Sequence, residues 1–108
     1  QGDFASASEM ERQVLDLRRE MLGERHVDTL RAKSNLAVIL HGQGDFASAA
    51  KMERQVLDLR REMLGERHVD TLRAKGNLAA TLHAQGDFAS AAEMLRQVLD
   101  LSREVLGE

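Results

Sequence analysis

The sequence has 108 residues and contains neither cysteine nor proline. Without cysteine there is no disulfide and no thiolate metal site, which fits a reducing, cytoplasmic compartment. Without proline nothing interrupts a helix from within. Basic charge is not in surplus: 15 Lys and Arg are dispersed among 18 Asp and Glu, for a net charge of −3. No basic stripe is available to follow a phosphate backbone, so nucleic acid is not an expected partner. No segment looks like a signal peptide or a membrane span, and no membrane partner is expected. A Gly-rich phosphate loop with its Lys, a paired Cys motif and a His-Glu-x-x-His helix are also missing. The chain therefore does not read as an enzyme, and no catalytic residue, metal or cofactor is expected.

What the chain does have is repetition. The heptapeptide Gln-Gly-Asp-Phe-Ala-Ser-Ala begins at Gln1, Gln43 and Gln85, a period of 42 residues. Residues 1–42 and 43–84 differ at six positions only: Ser8/Ala50, Glu9/Lys51, Ser34/Gly76, Val38/Ala80, Ile39/Thr81 and Gly42/Ala84. Residues 85–108 form a partial third copy, so the whole chain reads as one array, opening and stopping in mid-repeat as a piece of a longer one would. A catalytic site is asymmetric and is rarely built from near-identical copies. A period of this length implies a solenoid, each unit covering its apolar face by stacking on the next. Charge is uneven along it, about −1, +1 and −3 over the three segments.

Each repeat is punctuated twice, at Gly44-Asp45 and at Leu64-Gly65-Glu66-Arg67-His68-Val69-Asp70. Gly44 can take the left-handed conformation that ends a helix and Asp45 can cap the next; Gly65 and Asp70 repeat the arrangement. This predicts five helices, long and short in alternation, at about 3–22, 28–42, 45–64, 70–84 and 87–106. On a helical wheel the short helix places Leu30, Ala32, Leu36, Ala37, Ile39 and Leu40 on one side, with Arg31, Ser34, Asn35, Val38, His41 and Gly42 on the other. The long helix carries Phe46, Ala49, Ala50, Met52, Val56, Leu57, Leu59, Met63 and Leu64 over half its circumference. An arc that broad requires two packing neighbours.

A helix containing Asn-Leu-Ala, then Gln-Gly-Asp-Phe at the turn, a small residue three after Phe and Leu-Gly near the end together resemble a tetratricopeptide repeat. The resemblance covers the whole chain. The period and the Leu-Gly-x-x-His-x-Asp-Thr-Leu connector are most similar to the long repeats of kinesin light chains and of fungal receptors that join a nucleotide-binding domain to a repeat array. The near-identity of the copies looks more like the fungal receptors. The resemblance implies an all-α, right-handed superhelical solenoid of antiparallel helix pairs, whose first helices line a concave groove. It also implies that Asn35 and Asn77 bond the backbone of an extended peptide. Three departures stand out: Lys33/Lys75 and Leu40/Leu82 replace aromatic residues, Val27/Val69 replace proline, and Glu11/Glu53 occupy an apolar position.

Glu53 and Arg60 lie seven residues apart within the apolar arc, as do Glu11 and Arg18, and in the third copy both change together to Leu95 and Ser102. Replacing both members of a buried pair is nearly neutral, whereas removing one costs roughly 3–5 kcal/mol. A coupled structural Glu/Arg pair between stacked helices is therefore expected; the alternative is that both heads reach solvent. The Met residues at 10, 21, 52, 63 and 94 read as core fillers. His26/His68 and His41/His83 read as solvated or locally bonded rather than zinc-binding, since copies in neighbouring repeats are too far apart to share an ion. The charges at Lys51, Arg54, Asp58, Arg61 and Glu62 read as a solvated face.

Four of the six differences fall in the short helix, and three of them, 34/76, 38/80 and 42/84, sit in its polar arc. Arg31/Arg73, Asn35/Asn77 and His41/His83 frame them unchanged. The pattern fits a peptide-binding surface made of Arg31, Ser34, Asn35, Val38, His41, Gly42, Arg73, Gly76, Asn77, Ala80, His83 and Ala84, in which the changed positions tune selectivity and Gly76 makes room. Free drift of wet positions is the competing explanation. Two further readings stand beside a protein- or peptide-binding scaffold: a spacer that self-associates end to end through its long helices, and an engineered consensus array, suggested by 36 identical positions in 42. Mid-helix Gly76 favours recent duplication over engineering.

Overall fold

The computed structural model describes residues 2–107, with side chains from residue 5 to 107. Among them are five α-helices and no strand: α1 (Gly2–Leu22), α2 (Val27–Gly42), α3 (Phe46–Leu64), α4 (Val69–Ala84) and α5 (Phe88–Gly107). The expected boundaries and the long-short alternation are observed, because two kinds of glycine stop end the helices. After the short helix, Gly44 has φ +87°. Its N–H donates to His41 O at 3.0 Å, and that of Asp45 to Leu40 O at 2.9 Å, which closes the Schellman pattern. After the long helix, Gly65 has φ +93° and makes the simpler bond, donating to Arg61 O at 2.9 Å.

Asp45 also opens α3, as the sequence indicates: its Oδ1 accepts from Ser48 N at 3.3 Å and its carbonyl from Ala49 N at 3.1 Å. Asp70 does not play that part for α4. The N-cap is His68, and Asp70 is already inside the first turn. Two polar side chains compete at this junction, and the extended backbone at His68 gives the cap to the histidine.

The chain divides into two compact units, residues 1–52 and 53–108, with the boundary inside α3. In the first, α1 packs against α2, and Leu15, Ala32, Leu36, Leu40 and Ala49 form the core with Val14 and Met52 against it. In the second, α4 packs against α5, and Val56, Leu57, Leu72, Ala74, Leu78, Ala79, Leu82 and Ala91 are buried. In the first unit the first turns of α3 join the α1/α2 core, and in the second its last turns meet α4, where Thr71 Oγ1 donates to Arg60 O at 3.3 Å.

The methionines depart from expectation. Met52 packs against the core, but Met10 and Met21 are exposed, the latter at 77 %, and Met63 is partly so. An arc that broad leaves in solvent those of its positions that neither α2 nor the first turns of α3 cover.

Candidate functional site

The twelve residues of the polar arc lie outside the buried set of their helices. In α2, Arg31, Asn35, Val38 and Gly42 are exposed, with Ser34 and His41 half-buried; in α4, Arg73, Asn77, Ala80, His83 and Ala84 are exposed, with Gly76 half-buried. Each arginine is steadied by an acid one turn before it: Arg31 Nη1 lies 3.8 Å from Asp28 Oδ1, and Arg73 Nη1 lies 3.6 Å from Asp70 Oδ1. Such pairs restrain a side chain without neutralising it strongly, and both guanidiniums stay open to solvent. At the far end, His41 meets the edge of Phe46 at a ring separation of 5.0 Å, and His83 meets Phe88 at 4.9 Å. A Cβ added at Gly76 would touch nothing within 4 Å, so the chain itself does not need the space that this glycine leaves.

Beneath this face the structure reveals a polar layer that wheel reasoning missed. Thr29 and Lys33 of α2, like Thr71 and Lys75 of α4, are buried. Lys33 Nζ lies 3.4 Å from Glu24 Oε1, and Lys75 Nζ lies 3.1 Å from Gln97 Oε1 and 3.6 Å from Glu66 Oε1. Lys75 also lines a cleft of about 390 Å³ with Arg61, Glu66, Gln97, Asp100 and Leu101. A signal was present in the sequence: Thr29, Lys33, Leu36 and Leu40 follow the i, i+4, i+7, i+11 spacing of one helix face. The lysine stem is buried, while its head reaches the connector acid.

The Glu/Arg positions are also placed. Arg18 Nη1 donates to Asp28 O at 3.1 Å, and its own carbonyl accepts from Thr29 Oγ1 at 3.2 Å. Arg60 Nη1 lies 3.4 Å from Asp70 Oδ2, and its carbonyl accepts from Thr71. Both arginines therefore fasten the end of a long helix to the start of the short helix that follows.

Glu53 is buried, at 6 % exposure, and hydrogen-bonds the side chain of Thr81, itself wholly buried. Burial raises the carboxyl from its ordinary 4.5 to about 7, against the lowering effect of the Thr81 hydrogen bond. Its other oxygen, Oε1, has no hydrogen-bond partner, and the same holds for Oε1 of the half-buried Glu11. Among the described residues no three His, Cys, Asp or Glu side chains converge as metal ligands, and no helix is long and apolar enough to cross a membrane.

Models of the tetratricopeptide repeat match residues 1–28 and 29–70, and a second such model matches residues 54–104. No curated protein matches the sequence. Among solved structures, a Podosopora anserina protein described as of kinesin light chain type, with nearly identical TPR-like repeats, superposes with a TM-score of 0.90 at 25% identity. The superposition covers 96% of this chain and 49% of that one, and a single-substitution variant of that protein gives the same values. BtubC (BKLC) from P. vanneervenii superposes with a TM-score of 0.87 at 21% identity, over 95% of this chain and 41% of that one, a likeness of fold. The chain thus spans about half the length, or less, of the structures it resembles. With repeat models matched over most of its length and a helical repeat fold in common with kinesin light chain-type arrays, the chain belongs to the tetratricopeptide repeat family.

Proposed function

We infer that this chain is a protein- or peptide-binding scaffold that performs no chemistry and uses the outward faces of α2 and α4, the helices expected to line the concave side of a tetratricopeptide array. The observation that carries this reading is the pair Asn35 and Asn77, both exposed at the same register, each beside an open arginine and framed by the positions that differ between the copies. An amide offers a donor and an acceptor to an extended peptide backbone. Arg31 and Arg73 suit acidic groups on the bound segment, and 34/76, 38/80 and 42/84 would set selectivity. A cytoplasmic setting, in keeping with a chain free of cysteine, belongs to the same reading.

The test is binding of a library of extended acidic peptides, read by fluorescence anisotropy, to the native chain and to a variant with Arg31, Asn35, Arg73 and Asn77 changed to Ala at matched helicity. Loss of at least about tenfold in affinity is expected, about 1.4 kcal/mol. Equal binding by both proteins refutes the assignment of the site.

A second reading, a module that self-associates through its long helices, is favoured by the exposed apolar side chains of Met10, Leu17 and Met21 on α1 and of Leu95, Leu99 and Leu106 on α5. Concentration-dependent sedimentation that Leu95→Glu and Leu99→Glu abolish is its expected result. A chain that stays monomeric at high concentration rules it out.

A further inference from the structure

Helices α2 and α4 are capped by an imidazole, not by the Ser, Thr, Asp or Asn that usually holds this position. The backbone at His26 (φ −78°, ψ 142°) and at His68 (φ −71°, ψ 141°) is extended, as a cap requires. Each Nδ1 accepts the N–H of the second residue on, Asp28 at 3.0 Å and Asp70 at 3.0 Å. A ring nitrogen accepts only when it carries no proton, so this geometry selects the neutral imidazole with its hydrogen on Nε2. A hydroxyl or carboxamide cap works at any ordinary pH; an imidazole cap does not.

We propose that His26 and His68 make the first turns of the two short helices acid-labile, so that the connector and the helix start loosen together when the rings gain a proton. Protonation turns Nδ1 from acceptor to donor, facing another donor. It also sets a positive charge at the helix end that is already positive.

The charges around each ring decide whether the imidazolium is held in place by other means. His68 Nδ1 lies 4.0 Å from Asp70 Oδ2, but that carboxylate already faces Arg60 of α3 at 3.4 Å and Arg73 of α4 at 3.6 Å. Beside His26, Asp28 holds Arg31 at 3.8 Å through its carboxylate and Arg18 of α1 at 3.1 Å through its carbonyl. Next to His68 along the chain, Arg67 is itself paired with Glu104 of α5 at 3.9 Å, so that acid is also taken. At His68 an acid already shared by two cations leaves a third cation little to gain, and at His26 the nearby carboxylate already faces Arg31.

Loosening would spread to what the first turn holds. Leu30 N donates to His26 O and Leu72 N to His68 O, both at 3.0 Å, and Thr29 and Thr71 bind the carbonyls of Arg18 and Arg60. The inference does not depend on the binding role proposed for α2 and α4.

Histidine is the side chain that ordinarily changes charge between about pH 5 and about pH 8, and two other kinds of group complicate a global melt over that range. Glu53 titrates in the same window with the opposite effect. His41 and His83 lie in the last turns of the same helices, where the dipole favours a positive charge.

The test is therefore site-resolved and carried out on the full chain bearing Glu53→Gln. Imidazole nitrogen-15 spectra and amide hydrogen-exchange protection at Asp28, Leu30, Asp70 and Leu72 are recorded at about pH 8 and about pH 5. We expect Nδ1 of His26 and His68 to report an unprotonated acceptor at the higher pH, and protection to fall on the order of tenfold at the lower pH. The same chain with His26→Asn and His68→Asn keeps its protection. Unchanged protection in the histidine chain, or an equal fall in the asparagine variant, would overturn the proposal.

Discussion

The most informative single substitution is Glu53→Gln. It preserves the shape of a buried side chain and its hydrogen bond with Thr81 while removing the charge. In the folded chain burial lifts the Glu53 carboxyl from 4.5 to about 7. Because the folded value is raised, the folded state binds a proton more tightly than the unfolded one, and the stability this gives is present in full below 4.5 and lost as pH rises through 7. At roughly 1.4 kcal/mol per pH unit the complete effect is about 3 kcal/mol, and the span from about pH 5 to about pH 8 covers most of it. Water reaching the carboxyl through its small exposed edge reduces this to about 2 kcal/mol.

The comparison is a pair of urea unfolding curves for each protein, followed by far-UV circular dichroism at the two pH values. Histidine titration is common to both proteins and cancels in the difference. The glutamine variant should be about 2 kcal/mol more stable than the native chain at about pH 8, and within about 1 kcal/mol of it at about pH 5. A difference between the two proteins that stays constant across this range would refute the burial argument.

Four further outcomes follow from named contacts. Gly76→Ala should raise stability by about 0.5–1 kcal/mol, because a Cβ there meets nothing and alanine is the better helix former; thermal melts read this directly. Gly44→Ala should lower it by about 1 kcal/mol in the same assay, because φ of +87° strains any L side chain even where space is open. Thr71→Val should cost about 1 kcal/mol by removing the hydroxyl bond to Arg60 O, and exchange at the start of α4 should quicken. A double-mutant cycle on Glu53 and Arg60 should return a coupling below about 0.5 kcal/mol, because Glu53 bonds Thr81 and Arg60 faces Asp70; a larger coupling would restore the direct pair suggested by the joint replacement in the third copy.

The helices were legible because their signals are local. A glycine that must adopt positive φ and an acid that can cap mark an end within a few residues, and Gly44-Asp45 is read the same way from sequence and from structure. At the second junction two residues could cap and one had to be chosen by backbone geometry, which is why His68 and not Asp70 holds the place. Faces were legible to the extent that charge implies solvent. That rule fails at Lys33 and Lys75, whose stems lie in the core while their heads reach connector acids, an arrangement set by a residue outside the helix. Exposure of Met10 and Met21 was hidden for a related reason: a wheel gives the direction of a side chain but not whether anything stands opposite.

The difference Ile39/Thr81 shows what the missing neighbour adds. By sequence it is one of four changes in the short helix, and it lies on the core side, where a hydroxyl is a poor substitute for a methylene. In the structure Thr81 is wholly buried and its side chain serves the buried Glu53. At the corresponding positions of the first copy the residue is Ile39, half-buried, and Glu11 is half-buried too. A buried acid goes with a hydroxyl that can bond it, and a partly solvated acid goes with an aliphatic side chain that cannot. Leaving a buried carboxyl without that bond costs more than the packing a methylene supplies. This one difference therefore follows from desolvation. Nothing in the structure demands the three in the polar arc, and a bound segment is the cause we propose for them.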